Sequence, residues 1–230
     1  MAKHIGIVAV SPEGAALFYR QIFRLASHQL DPHLHPRVSL HNEPLAKYID
    51  ALAAQDWHAV GELLRRSATM LASIGADFCL TPDNAVQHAV HLAEAGSPIP
   101  WLTIPELVAR EVESEGRKVV GLIGTKMVTT GSTYQTHLGL RGVQLLTPDQ
   151  ERADALDRII FKELIFGDIR PQSLSLVLRV IDEFADRGCQ GVILGCSEAP
   201  LLVTKENSRL PIYDAAEILA RSAVARSLAG

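Results

Sequence analysis

Short β-branched runs alternate with longer segments of helical periodicity, and this alternation constrains the fold more than any other feature. Residues 5–10 form a short apolar run, and residues 13–30 then place apolar side chains at helical spacing. The same order recurs along the 230 residues, and it restarts near residue 118. Strands that alternate with helices predict parallel sheets covered by helices on both faces. We therefore expect an α/β protein with two similar halves, each built on a mostly parallel sheet.

The expected halves are a first lobe of residues 1–104 plus 209–230 and a second lobe of residues 105–208. Ser11 is expected to cap the first helix, with Pro12 in its first position. The predicted strands are residues 5–10, 37–41, 77–81, 100–104, 118–123, 143–146, 191–194 and 211–213. The predicted helices are residues 13–30, 56–74, 84–95, 105–115, 130–138, 149–166, 172–187 and 214–228.

Composition excludes several classes of protein. A hydrophobic content of 47% and a charged content of 21% are typical of a folded globular protein. The net charge of -4, without a Lys/Arg run, argues against nucleic acid as a partner. No apolar stretch reaches the length of a membrane span, and the first residues lack the features of a signal peptide. We therefore expect a cytoplasmic protein that does not associate with membranes.

Cofactor and metal sites have little support. Three cysteines without zinc-ligand spacing predict reduced thiols. His88 and His91 have helical i,i+3 spacing, but no third ligand is nearby, so we interpret them as solvated helix residues and expect no metal. No G-x-G-x-x-G follows the first strand and no P-loop is present, so nucleotide binding is unsupported.

Polar residues stand where strands are predicted to end, which is where parallel sheets bind ligands. Residues 191–195 are apolar or glycine and lead directly to Cys196, which we expect to perform chemistry, although a small buried hydrophobe is the alternative. A helix after Cys196 would favour the thiolate through its N-terminus, whereas Glu198 would oppose it. Asp83 holds the matching place in the first half, with a helix N-cap as its alternative. The polar residues at strand ends are Ser11, Asn42, Asp83, Asn84, Thr125, Cys196, Ser197 and Glu198.

The whole chain resembles one family, the PLP-independent aspartate/glutamate racemase superfamily. The most specific match is Gly195-Cys196-Ser197-Glu198, which is close to the family's Gly-Cys-Thr-Glu. The other matching segments, in chain order, are Ile5-Gly6-Ile7, Ser11-Pro12-Glu13, Tyr19-Arg20-Gln21-Ile22, Thr81-Pro82-Asp83-Asn84, Gly121-Leu122-Ile123-Gly124-Thr125, Ile159-Ile160-Phe161-Lys162-Glu163-Leu164 and Pro211-Ile212-Tyr213-Asp214.

The resemblance implies a cofactor-independent racemase, with two acid-base residues that face each other across a cleft between the two halves. Cys196 matches the second of the family's two cysteines, whereas Asp83 replaces the first, and Ala85 replaces a threonine. The family's cationic lysine falls at Ile165. The implied substrate contacts are Ser11, Asn84, Thr125 and Ser197, with Lys47 or Lys162 as the cation. The resemblance also implies a homodimer that acts on a small amino acid or dicarboxylate.

Three functions stay open at this point. The first is racemisation by proton transfer at the α-carbon between Asp83 and Cys196, on a substrate of the aspartate/glutamate type. A carboxyl group ordinarily has a pKa of about 3.9 and a thiol about 8.5, so both residues can alternate only if their surroundings shift these values. The second is decarboxylation of a malonate-type acid by one thiol. The third is non-catalytic binding of a small acid.

Overall fold

The computed structural model of the chain describes residues 2–31 and 33–229, and within them it contains two four-stranded sheets. The first sheet has the strands β1 (Ile5–Ala9), β2 (Val38–Asn42), β3 (Phe78–Leu80) and β4 (Trp101–Leu102). The second has β5 (Val119–Gly124), β6 (Gln144–Leu146), β7 (Val192–Gly195) and β8 (Ile212–Asp214). The helices are α1 (Pro12–Ala26), α2 (Leu45–Ala53), α3 (Trp57–Ser73), α4 (Gln87–Glu94), α5 (Ile104–Ser114), α6 (Lys126–Thr130), α7 (Ser132–Gly139), α8 (Gln150–Lys162), α9 (Pro171–Asp186) and α10 (Ala215–Leu228).

The two sheets have the same topology. Their strand orders are β2-β1-β3-β4 and β6-β5-β7-β8, and every adjacent pair is parallel. The central strands β1, β3 and β7 are buried along their whole length, as expected for sheets covered on both faces. The predicted architecture of two helix-flanked parallel sheets is confirmed. Strand β1 is thus equivalent to β5, and β3 to β7.

The chain divides into two compact units, and their boundary differs from the expected one. One unit comprises the residues up to Ile104 together with those from Leu219 onward, and the other runs from Pro105 to Ile218. From the sequence, the chain is expected to return to the first lobe at residue 209. Strand β8 instead pairs with β7 in the second sheet, with Tyr213 opposite Ile193, so the return comes later, within α10.

Helix caps explain why several predicted helices begin where they do. The Ser11 hydroxyl accepts the backbone N–H of Gly14, and Pro12 opens α1, as predicted. Asp56 and Asp149 cap α3 and α8 in the same way. Helix α2 was not predicted, because it is short and no side chain caps it.

Two paired glycines bring the ends of β5 and β7 close together. Gly124 is opposite Gly195, and a Cβ atom on Gly124 would lie 2.9 Å from the Gly195 carbonyl oxygen. A Cβ atom on Gly195 would lie 3.0 Å from the Ile123 carbonyl oxygen and 2.9 Å from Leu122 Cδ1. Strand packing therefore leaves little room for a side chain at the glycine before Cys196.

We expect Gly195→Ala to lower the free energy of unfolding by about 1–3 kcal/mol, the usual cost of overpacking a core. Urea titration followed by circular dichroism measures the loss. Gly139→Ala is the matched control, because a Cβ atom there meets nothing within 4 Å. A Gly195→Ala variant as stable as the Gly139→Ala variant would contradict the packing argument.

Candidate active site

The predicted site residues follow corresponding strands in the two units, although Asp83 lies three residues beyond Leu80 and Cys196 directly follows Gly195. One pair consists of the N-cap residues of the helices that follow β1 and β5. The other two pairs are consecutive residues beyond the ends of β3 and β7. These ends are where parallel sheets bind ligands. The corresponding pairs are Ser11 with Thr125, Asp83 with Cys196, and Asn84 with Ser197.

Cys196 is buried and directly contacts a carboxylate. Its side chain is 5% exposed, and its Sγ lies 3.1 Å from Oε2 of Glu198. The Ser197 hydroxyl donates to the same oxygen at 2.9 Å. Glu198 is 3% exposed, so this carboxylate is held among protein groups and not in bulk water. The thiol thus has an adjacent group that is able to accept its proton.

The segment after Cys196 is not an α-helix. The chain instead forms a 3-10 helix of three residues, Ala199–Leu201, in which Pro200 takes one of the first positions. A single turn does not sum peptide dipoles as a long helix does. The helix-dipole argument for the thiolate therefore falls.

Asp83 is half-buried and holds the turn that follows β3. Its Oδ1 accepts the backbone N–H of Ala85 at 3.0 Å, and its own N–H donates to the Thr81 hydroxyl at 3.4 Å. Helix α4 begins four residues later at Gln87, with Val86 as its N-cap, so Asp83 is not that helix's N-cap. One carboxylate oxygen of Asp83 therefore stabilises a turn directly beyond the strand.

Ser11 and Thr125 have equivalent positions but different partners. Ser11 caps its own helix, whereas Thr125 makes no side-chain cap bond to α6. The carboxylate of Asp157 accepts the backbone N–H of Lys126 at 2.8 Å and so caps α6 in place of Thr125. The Thr125 hydroxyl is buried, and no residue in the described part of the chain hydrogen-bonds to it. Its hydrogen-bonding capacity is therefore not used by any of the described residues.

The candidate cations are less well defined. Lys47 lies in α2 and pairs with Glu43 at 2.7 Å, and this hydrogen bond is the main cause that lowers the pKa of Glu43. Lys162 ends α8 and is exposed, and Ile165 is half-buried. In the same segment, Arg170 is bound by Asp168 at 2.6 Å. Lys47 is therefore already paired with a carboxylate.

The surroundings of the other two thiols and of the paired histidines indicate packing roles. Burial raises the pKa of the Cys79 thiol and that of the Cys189 thiol, and none of the three cysteines forms a disulfide within the described residues. His88 packs against Trp57 and His91, with ring centroids 4.7 and 5.8 Å away. Within residues 2–31 and 33–229, no group of three or more His, Cys, Asp or Glu side chains is placed to hold a metal ion. None of the helices described is long and apolar enough to cross a membrane.

Comparison with known proteins identifies the family. The family model for Asp/Glu/Hydantoin racemases matches residues 7–223. The chain belongs to this family. The match includes both units and all of the candidate site residues, from Ser11 to Ser197.

Solved structures and curated proteins of similar length agree with membership of the Asp/Glu/Hydantoin racemase family. A candidate Asp/Glu racemase from Yersinia pestis is 28% identical, with a TM-score of 0.88 over 98% of this chain and 99% of its own. An aspartate racemase homologue from Pyrococcus horikoshii OT3 is 26% identical, with a TM-score of 0.85 over 99% of this chain and 100% of its own. The broad specificity amino-acid racemase RacX of Bacillus subtilis is 23% identical over 98% of both chains.

Sequence reasoning missed two features of this family member's site. It did not foresee that Asp157 would cap α6, because the two residues that meet are 31 positions apart. It noted that Glu198 is close to Cys196 but not that one carboxylate oxygen bonds both neighbouring side chains. The short Cys-Ser-Glu spacing was the only available signal for the second contact.

Proposed function

We propose that this protein is a cofactor-independent amino-acid racemase that transfers protons at the α-carbon through Asp83 and Cys196. One residue removes the α-proton and the other returns a proton to the opposite face. The proposed substrate is an acidic amino acid of the aspartate/glutamate type. The Asp/Glu/Hydantoin racemase family, and the names of the Yersinia and Pyrococcus relatives, support this substrate class.

The equivalence of Asp83 and Cys196 carries the proposal. Both follow the third strand of a β2-β1-β3-β4 sheet or its counterpart, and each precedes a buried polar residue, Asn84 or Ser197. Racemisation needs two acid-base groups with matching roles, because each enantiomer is deprotonated from a different side. A repeated topology with a titratable residue at the same strand end supplies one such group per unit.

Hydrogen bonds within the site support the assignment of different substrate groups to Ser197 and Thr125. The Ser197 hydroxyl donates its proton to Glu198 and keeps lone pairs for another donor. We assign Ser197 to the substrate's amino group. The unpaired hydroxyl of Thr125 is able to donate, so we assign it to the substrate's carboxylate. Ser11, Asn84 and Lys47 remain proposed contacts without an assigned substrate atom.

Thr125→Val tests this assignment. We expect kcat/KM to fall by about 10- to 100-fold, because a hydrogen bond to a charged group contributes about 1.5–3 kcal/mol. The free energy of unfolding should stay unchanged or rise, since the hydroxyl has no partner to lose. Thr129→Val is the control, because the Thr129 hydroxyl donates to the Thr125 carbonyl oxygen at 3.2 Å and its loss should lower stability. A Thr125→Val variant with unchanged kcat/KM would remove Thr125 from the substrate contacts.

Deuterium exchange tests the function itself. Enantiopure aspartate, glutamate and a panel of other amino acids are incubated with the protein in deuterated water. We expect loss of optical rotation together with entry of deuterium at the α-carbon, without added cofactor. Absence of exchange across the whole panel would refute racemisation, and thermal stabilisation by an amino acid without exchange would instead indicate a non-catalytic binder.

One observation favours a second candidate, decarboxylation of a malonate-type acid by a single thiol. Asp83 uses Oδ1 to hold the turn at Ala85, a structural task that does not require proton transfer. Cys196 alone would then protonate one face of the enediolate left after carbon dioxide departs. Release of carbon dioxide from a substituted malonate, lost in Cys196→Ala, would select this reaction. Homodimer assembly and a cytoplasmic location stay predictions from the sequence.

A further inference from the structure

Two carboxylates on one face of α8 bind the residue that follows Thr125. Asp157 Oδ1 accepts the backbone N–H of Lys126 at 2.8 Å, and Asp154 Oδ1 accepts from its side-chain Nζ at 2.5 Å. Asp154 and Asp157 are three residues apart in the helix, so their side chains lie on the same face. Helix α8 therefore holds Lys126 through both its backbone and its side chain.

The Asp157 contact leaves the Thr125 hydroxyl without a capping role. Thr125 is the N-cap residue of α6, and a threonine in this position ordinarily turns its hydroxyl back to accept a helix N–H. Ser11 shows that ordinary arrangement at the start of α1. The Thr125 hydroxyl makes no such bond, and it is buried without a hydrogen-bond partner among the described residues. The first N–H of α6 is bonded by Asp157 instead.

Backbone geometry explains how a bond to Lys126 acts on Thr125. The N–H of Lys126 and the carbonyl of Thr125 belong to one planar peptide group, which adjoins the Cα atom that bears the Thr125 side chain. That carbonyl oxygen accepts the backbone N–H groups of Val128 and Thr129, both at 3.0 Å. The peptide group is thus held on both sides, at its N–H and at its C=O.

We propose that Asp157 is a positioning residue for substrate binding, which holds this peptide group so that the Thr125 hydroxyl is kept for the substrate carboxylate. The inference rests on the proposed racemase function and on the assignment of Thr125 within it. Asp157 is half-buried and does not touch the substrate in the proposal. It acts on the reaction only through the placement of Thr125.

Asp157→Ala removes the acceptor and leaves the first N–H of α6 unbonded. A threonine at the N-cap is a good acceptor for the N–H groups of a first turn, so we expect the Thr125 hydroxyl to turn toward them. The substrate carboxylate then loses its donor, and kcat/KM should fall by about 10- to 100-fold, as in Thr125→Val. Asp157→Asn should keep most of the activity, because its amide oxygen accepts the same N–H.

The matched control is Asp154→Ala. Asp154 bonds the same Lys126 from the same helix, but through an ion pair whose side chains are 41% and 52% exposed and not through the backbone. Exposed ion pairs contribute little, so its loss should leave kcat/KM unchanged. Equal losses in Asp154→Ala and Asp157→Ala would refute the role of the backbone bond.

A double-mutant cycle separates positioning from damage to the fold. In a Thr125→Val background there is no hydroxyl left to place, so adding Asp157→Ala should not lower kcat/KM further. The free energy of unfolding, measured by urea titration, should fall in both backgrounds, because the Lys126 N–H loses its acceptor in each. A purely structural role for Asp157 would instead give losses of kcat/KM that multiply.

The outcomes distinguish this inference from the function on which it rests. Racemisation is followed by optical rotation of enantiopure aspartate, or of the amino acid that the unsubstituted protein exchanges fastest. If the unsubstituted protein exchanges no α-hydrogen, the racemase proposal falls, and the positioning role falls with it. If it racemises, the positioning role alone is refuted when Asp157→Ala keeps its kcat/KM, when Asp157→Asn loses as much, or when Asp157→Ala loses as much in the Thr125→Val background. A loss that asparagine recovers and that Thr125→Val abolishes supports it.

Discussion

Cys196→Ala is expected to lower kcat for racemisation by about 10²- to 10⁴-fold, the usual contribution of a positioned acid-base group. The alanine methyl group neither donates nor accepts a proton, and the replaced thiol is small and buried, so the fold should survive. Optical rotation of enantiopure aspartate or glutamate measures the loss. The effect should be present for both enantiomers, because each passes its proton to or from Cys196 once per turnover.

Cys189→Ala provides the matched control for this loss. Cys189 is a second buried cysteine of the same unit, but it precedes β7 instead of following it. Burial raises the pKa of its thiol, which keeps it protonated and unreactive near neutral pH. We expect Cys189→Ala to keep its kcat. A Cys196→Ala variant that racemises as well as the Cys189→Ala variant would contradict the role assigned to Cys196.

Asp83→Asn is expected to lower kcat by a similar factor of about 10²–10⁴. Asparagine retains an Oδ1 atom that accepts the Ala85 N–H, so the turn should remain, but its amide does not exchange protons with the substrate. The same variant separates the two candidate reactions. Racemisation should be lost, whereas decarboxylation by the single thiol of Cys196 should persist.

Asp83→Cys is the informative companion, because it places a thiol at both proposed acid-base positions. We expect this variant to retain racemase activity with a different pH profile. A carboxyl group ordinarily becomes a base above a pH of about 4 and a thiol only above about 8.5. In the direction that uses residue 83 as the base, the rising limb of activity should therefore move to more alkaline pH. Identical pH profiles for the aspartate and cysteine forms would show that residue 83 does not titrate in the rate-limiting step.

The sequence predicted the architecture because its signals are local or repeated. Each strand was found as a short apolar run, and the start of α1 was found from Ser11 and Pro12. Parallel order follows from alternation alone, so both sheets were foreseen without any contact information. The lobe boundary was misplaced because it depends on β8 pairing with β7, a contact that no local pattern encodes.

The candidate site was predicted by position more than by contact. Strand ends marked Asp83 and Cys196, and the Gly-Cys-Ser-Glu motif supplied the family. Hydrogen-bond partners could not be predicted from the sequence, because Asp157 lies far along the chain from the helix that it caps. The segment after Cys196 forms a single 3-10 turn, Ala199–Leu201, and not the α-helix that would have favoured the thiolate.

The repeated strand order also bears on how such a site changes during evolution. The pairing of β5 with β7 ends at the glycine pair Gly124 and Gly195. Cys196, the next residue, therefore does not pair with a neighbouring strand. A single codon change there alters the chemistry of one unit and leaves the other unit's reactive residue intact. Asp83 and Cys196 lie in different units, each beyond a strand whose pairing does not include it. A substitution at either position can therefore change the chemistry of one unit without disturbing either sheet.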